Sequence, residues 1–173
     1  MLNFLFRTLT ANPARGASLF DAVTAEARRP HWYIAGGVPD SFDGRFAMVA
    51  TITALTLVRL EQFGDPGNQA SVALTERFIE VMESEHRELG LGDPTLGKKV
   101  RMLVASLARR VEQWRAATRG GDGERDWAET ARDSVCKGDC APAAVRHIAD
   151  ALRKWWGRLE SSDLESLVEG RIQ

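Results

Sequence analysis

The chain has 173 residues, 44% hydrophobic and 27% charged, with 23 Lys and Arg against 24 Asp and Glu for a formal net charge of −1. That mixture excludes a wholly disordered chain, the length suits one domain with a real core, and the balance of charge excludes a general nucleic-acid binder, which needs a basic excess. Two cysteines are too few for a disulfide-stapled secreted scaffold, and the longest apolar run, residues 46–58, has about 13 of the ~20 residues needed to cross a bilayer.

Residues 1–9 are apolar, but no basic stretch precedes them and no small-residue cleavage site follows, so they do not read as a secretory signal. Leu2, Leu5, Phe6 and Leu9 share one helical face. Docking of this helix on its own domain is the expectation, with contact to a membrane surface as the alternative. Asn12-Pro13 is a helix-start signal. Leu19, Phe20, Val23 and Ala27 then form a buried stripe that Pro30 ends. The next stretch, His31-Trp32-Tyr33-Ile34-Ala35-Gly36-Gly37, reads as a turn, with its aromatics tucked onto the body and the glycines at positive φ.

Asp40 or Ser41 can cap the following helix, which over residues 46–60 is apolar on nearly every side and therefore central. Phe63-Gly64-Asp65-Pro66-Gly67 is a strong breaker. A helix over about residues 68–89 follows, with Val72, Thr75, Phe78, Ile79, Met82, His86 and Leu89 as its stripe and Gly90 as its C-terminal cap. Another spans about residues 95–118, with Leu96, Val100, Leu103, Leu107, Val111 and Trp114 inward. Beyond Gly120-Gly121-Asp122-Gly123 the pattern weakens to a short helix near 127–135 and a Cys136-to-Cys140 loop. A better helix covers 142–157, and Ser162-Asp163-Leu164-Glu165, at capping-box spacing, opens a last one. Nothing alternates with a period of two, so the expected fold is all-α: a compact bundle of about six to eight helices with no sheet.

Charge is uneven. Acids dominate residues 61–85, and bases dominate 86–119. The two helices are expected to attract each other when packed antiparallel, with a basic surface facing an acidic partner or anionic lipid as the sharper reading. Catalytic signatures are scarce, and the chain has no GxxxxGK[ST], HExxH or GxSxG. His31, His86 and His147 are read as hydrogen-bonded structural residues, since a metal needs several of them to converge. An enzyme built on His86 and the acids around it would require a deep polar pocket. Cys136 and Cys140 lack a second ligand pair for zinc. They are expected to be free thiols in a cytosolic protein, with a local bridge as the other geometric option. Arg45 and Arg59 flank the central helix. Arginines beside core residues need acidic partners, and Glu76, Glu80 or Glu83 could supply them as buried ion pairs; an Arg aimed at a partner groove is the alternative.

Gly37-Val38-Pro39-Asp40, Asp43-Gly44-Arg45-Phe46, Leu57-Val58-Arg59-Leu60 and the run from Leu74 to Met82 come in order. They are followed by Arg87-Glu88-Leu89-Gly90-Leu91-Gly92-Asp93 and Gly97-Lys98-Lys99-Val100-Arg101. In this combination, over about residues 14–119, the chain resembles the ubiquinol–cytochrome c chaperone family. The tail after Arg119 departs from the pattern, so the chain is expected to be one domain (1–173) with a family-like core and a divergent helical extension (120–173). The resemblance implies an all-α, non-catalytic assembly factor of the cytochrome bc1 complex. Its client would be newly made cytochrome b or another subunit, and it would have no cofactor, no bound metal and no nucleic-acid partner. It implies a bacterial-type member, because the long targeting extension of an imported mitochondrial protein is missing, and a cytoplasmic location with peripheral attachment to the inner membrane. The matched motifs mark Asp43, Arg45, Phe46, Arg59 and Glu76, and then Arg87, Gly90, Asp93, Lys98, Lys99 and Arg101, as partner-binding. A peripheral lipid-binding module, using residues 1–9 and the basic helix face on an anionic membrane surface, is the alternative function.

Overall fold

The most apolar segment sets the architecture. In the computed structural model, which describes residues 16–88, 93–119, 126–136 and 140–172 and the side chains of these outside 86–96, that segment is α3 (Phe42–Glu61). Ser41 caps it, its Oγ accepting from the Gly44 amide at 3.3 Å. Of its 20 residues, 14 are buried, so it needs neighbours on every side. Two of its three buried threonine hydroxyls are satisfied locally. Thr53 and Thr56 donate to the carbonyls of Val49 and Ile52, four residues back, at 2.7 and 2.9 Å.

The longer helices wrap this rod. α1 (Ala17–Ala27) buries Leu19, Phe20, Val23 and Ala27, the stripe its spacing predicts. Pro30 does more than end it. It opens a further helical turn, α2 (Pro30–Ile34), where the sequence reads only as a turn, because proline suits the first helical position. α4 (Gly64–Glu88) starts four residues before the expected 68, directly in the supposed breaker. Gly64 takes φ +64°, which lets the chain reverse, and Pro66 is harmless in a first turn. The inward stripe of α4 is also rotated from the expected one. Leu74, Phe78 and Met82 are buried, while Val72 is 58% exposed.

α5 (Asp93–Arg119) buries Leu103, Leu107, Trp114 and Ala117. α6 (Trp127–Ala131) runs into a π-helical turn (Arg132–Cys136), and α7 (Pro142–Ser161) buries Val145, Ile148, Leu152 and both Trp155 and Trp156. α8 (Leu164–Val168) is capped by Asp163 and not by Ser162. The Asp163 carboxylate accepts from the Ser166 amide at 2.8 Å, which holds it below the usual carboxylate range, while the Ser162 hydroxyl turns back to the Arg158 carbonyl. Among the described residues there is no strand, and no helix is long and apolar enough to cross a membrane. The C-terminal helices share one continuous core with α1, α3, α4 and α5.

The expected free thiols are instead joined. Cys136 and Cys140 form a disulfide with their Cα atoms 5.4 Å apart, well inside bridging range. Cys136 closes the π-turn, and Cys140 lies four positions on.

Candidate functional site: an apolar groove beside the central helix

Two aromatic anchors build one wall. The Trp32 indole Nε1 donates to the Glu26 carbonyl at 2.8 Å, and the Tyr33 hydroxyl donates to the Ala27 carbonyl at 2.9 Å. Both tie α2 to the end of α1. Burial of Tyr33 pushes its phenol above the usual value. Gly36 must lack a side chain here, since a Cβ would lie 2.4 Å from the Trp32 carbonyl oxygen, and Gly37 takes φ +62° to lead Val38 into the core. The wall ends at Ile34, which is 82% exposed.

Between this wall, the first turns of α3 and the second half of α4 lies a groove of about 1160 Å³. Phe20, Phe46, Val49, Val81 and Met82 line it as a mostly buried apolar bed. Asp21, Arg28, Asp40, Arg45, Arg77 and Glu85 supply its charged groups, three of each sign. Phe42 and Ile34 are its exposed apolar lips.

The structure brings few of the motif residues together here. Arg45 and Phe46 line the groove, with Asp43 exposed in the same turn of α3. Arg45 pairs with Asp40 at 2.6 Å, not with an acid of the next helix, and that bond holds the Asp40 carboxyl below the usual range. Arg59 lies at the far end of α3, roughly 20 Å along the helix from Arg45. Its guanidinium bonds the carbonyls of Leu159, Glu160 and Ser162 at 3.0–3.2 Å and the Gln62 side chain at 2.6 Å. Neither arginine meets Glu76, Glu80 or Glu83, so the expected buried ion pairs are replaced by a surface pair and a helix C-terminus. Glu76 lines a separate pocket of about 300 Å³ with Leu57, Val72 and Val111. Lys98, Lys99 and Arg101 stand on α5, and none of its described side chains lines the groove. Gly90, and the side chains of Arg87, Asp93 and His86, lie outside the described residues.

Among the described residues the opposed charge blocks, 61–85 and 86–119, meet through Glu61 and Arg115, so the acid comes from the end of α3 and not from α4. Among the described residues, Arg77 pairs with Glu80 within α4, while Arg115 pairs with Glu112 within α5 and with Glu61 at the end of α3. Sequence reasoning missed Ile34, Phe42, Val81 and Glu85. Ile34 falls in the stretch read as a turn and the others in or beside helices, and only the arrangement of α2, α3 and α4 around one groove joins them. Among the described residues no three His, Cys, Asp or Glu side chains are placed to hold a metal ion.

A helical domain with an apolar, charge-rimmed groove has the form of a binding protein for another chain's apolar segment. The chain belongs to the ubiquinol–cytochrome c chaperone family, whose model matches residues 35–173. The match takes in the tail that the motif comparison leaves outside. The fold is also that of the Cbp3 homolog from Brucella abortus, at 25% sequence identity, a TM-score of 0.76 and coverage of 100% of this chain and 96% of that one. No curated protein matches the chain.

Proposed function

We propose that this chain, as one domain, assists assembly of the cytochrome bc1 complex by holding newly made cytochrome b in the groove beside α3, without catalysis and from the cytoplasmic face of the inner membrane. The observation that carries this reading is the groove itself, an apolar bed of about 1160 Å³ with Ile34 left 82% exposed at its lip. A helix with side chains is about 10–12 Å across, so two turns of one occupy roughly 850–1200 Å³. The groove therefore suits a short length of an apolar client helix, and its mixed rim suits the polar residues at that helix's end. Family membership supports the assembly role.

The test is recovery of cytochrome b by crosslinking from membranes making it, comparing the parent chain with Ile34→Asp. Ile34 is exposed, so its replacement should leave stability within about 0.5 kcal/mol. Recovery should fall at least tenfold, because a charge at a buried interface position must be desolvated. Normal bc1 levels in a deletion strain, with no cytochrome b recovered by the parent chain, would sink the reading.

A further inference from the structure

The outward side of α5 is a second surface, independent of the groove. At about 100° per residue, the side opposite buried Leu103, Leu107 and Trp114 carries Lys98, Arg101, Met102, Ala105 and Arg109. All five are exposed, and Met102 is 62% exposed. No acid occurs between Asp93 and Glu112. Among the described residues Lys98, Arg101 and Arg109 have no acidic partner, whereas Arg115, one turn past Glu112, is fully engaged with Glu112 and Glu61. The small side chains of Ala105 and Ala108 leave the middle of this face low and flat, with part-exposed Val104 at its edge. Neither the groove nor the smaller pocket takes a residue from 97–110.

A helix face that lines neither pocket offers little to an inserted peptide. Uncompensated cations around an exposed thioether match a plane of negative charge over an apolar layer. We propose that this face of α5 docks the protein on an anionic bilayer, with Lys98, Arg101 and Arg109 meeting headgroup phosphates and Met102 entering the acyl boundary. Because no described side chain of this face lines the groove, docking through it leaves the groove open.

The test is flotation of the full chain with vesicles of phosphatidylcholine alone or with roughly one-third phosphatidylglycerol. Binding is expected only to the anionic vesicles and should weaken as salt rises. A basic group near such a surface contributes about fivefold to partitioning. The variant Lys98→Glu/Arg101→Glu/Arg109→Glu should therefore bind at least about 100-fold more weakly. Met102→Ser should bind severalfold more weakly at every salt concentration. Both variants alter exposed positions, so their unfolding midpoints should stay near the parent's. Four results would overturn the proposal: no vesicle binding by the parent chain, equal binding to neutral vesicles, undiminished binding by the triple variant, or capture of poly-glutamate without vesicle binding. Loss of binding on removing residues 1–10 while the triple variant still binds would overturn it equally. None of these outcomes depends on whether cytochrome b occupies the groove.

Discussion

Arg59 fans its guanidinium over the last turn of α7 and stacks on the Phe63 ring at 4.3 Å from its centroid. Carbonyls at a helix C-terminus carry partial negative charge, so a cation there needs no carboxylate. Those partners lie about a hundred positions along the chain, and nothing near Arg59 announces them. Arg110 is a different case. It continues the spacing of Leu103, Leu107 and Trp114, so its burial was written in the periodicity, but its charge assigns it to the basic surface. It is only 3% exposed, bonding the Ser134 carbonyl at 2.8 Å and the Ser106 hydroxyl at 2.5 Å, and burial pushes its guanidinium down to about 10. His31 and His147, both read as structural, meet with Nδ1 and Nε2 3.2 Å apart. Burial lowers the His31 pKa below 6.5; Glu26 opposes that shift, and His147, Arg29 and Arg158 add to it. The folded state therefore prefers neutral His31. Its contribution to stability is complete above 6.5 and is lost as pH falls through the lower folded value. His31→Gln, which keeps hydrogen-bonding groups without titrating, should flatten the fall in unfolding midpoint between about pH 7 and pH 5. Parallel curves for parent and variant would remove His31 from that dependence.

The turn between α3 and α4 shows where composition misleads at the scale of elements. Two glycines and a proline within five residues read as a loop, yet only Gln62 and Phe63 separate the helices. Gly64 supplies the left-handed residue. Gly67 supplies close approach, since a Cβ there would lie 1.9 Å from the Leu60 carbonyl oxygen. Gly67→Ala must push backbone against backbone. An overpacking cost of about 1–3 kcal/mol is expected, which lowers the thermal midpoint by roughly 2–10 °C in a chain of this size. Gly97 is the internal control. It is exposed on α5 with nothing within 4 Å of a Cβ, so Gly97→Ala should raise stability by about 0.5–1 kcal/mol through helix propensity alone. Equal melting curves for the parent and Gly67→Ala would mean that the tight crossing is not rigid. Helix type and the order of elements were legible because α1, α3, α5 and α7 carry sustained apolar spacing. The start of α4 and the turn of α2 were not, because each depends on a neighbouring element: α4 on the close approach of Gly67 to Leu60, and α2 on the Trp32 and Tyr33 bonds to α1.

For the whole molecule, the question is what the segment after Arg119 does. Read by motif it is an extension, because its residues fall outside the pattern that the preceding segment matches. Its packing assigns it a larger part. α3 is apolar on nearly every side, so α1, α4 and α5 alone cannot cover it. The remaining sides are taken by the π-turn and α7, where Ser134 bonds Thr51 at 2.8 Å and the Trp114 indole at 3.2 Å, and where Arg158 reaches the buried Glu26 at 2.6 Å. Trp127, Ile148, Leu152, Trp155 and Leu159 belong to the same core as Leu19 and Phe78. Cutting the chain after Arg119 would expose those sides of α3 and leave the Arg110 guanidinium without the Ser134 carbonyl. The loss of those five buried side chains, each contributing about 1.5–3 kcal/mol, is as large as the ~5–15 kcal/mol that holds a domain of this size together. The expected result is that residues 1–119 show no cooperative thermal transition and bind a hydrophobic dye, while the full chain melts in a single step. A sharp transition in the truncated chain, near the parent midpoint, would instead mean that α1, α3, α4 and α5 close a core by themselves. In that case the groove, whose described lining lies within residues 20–85, should keep its client without the tail.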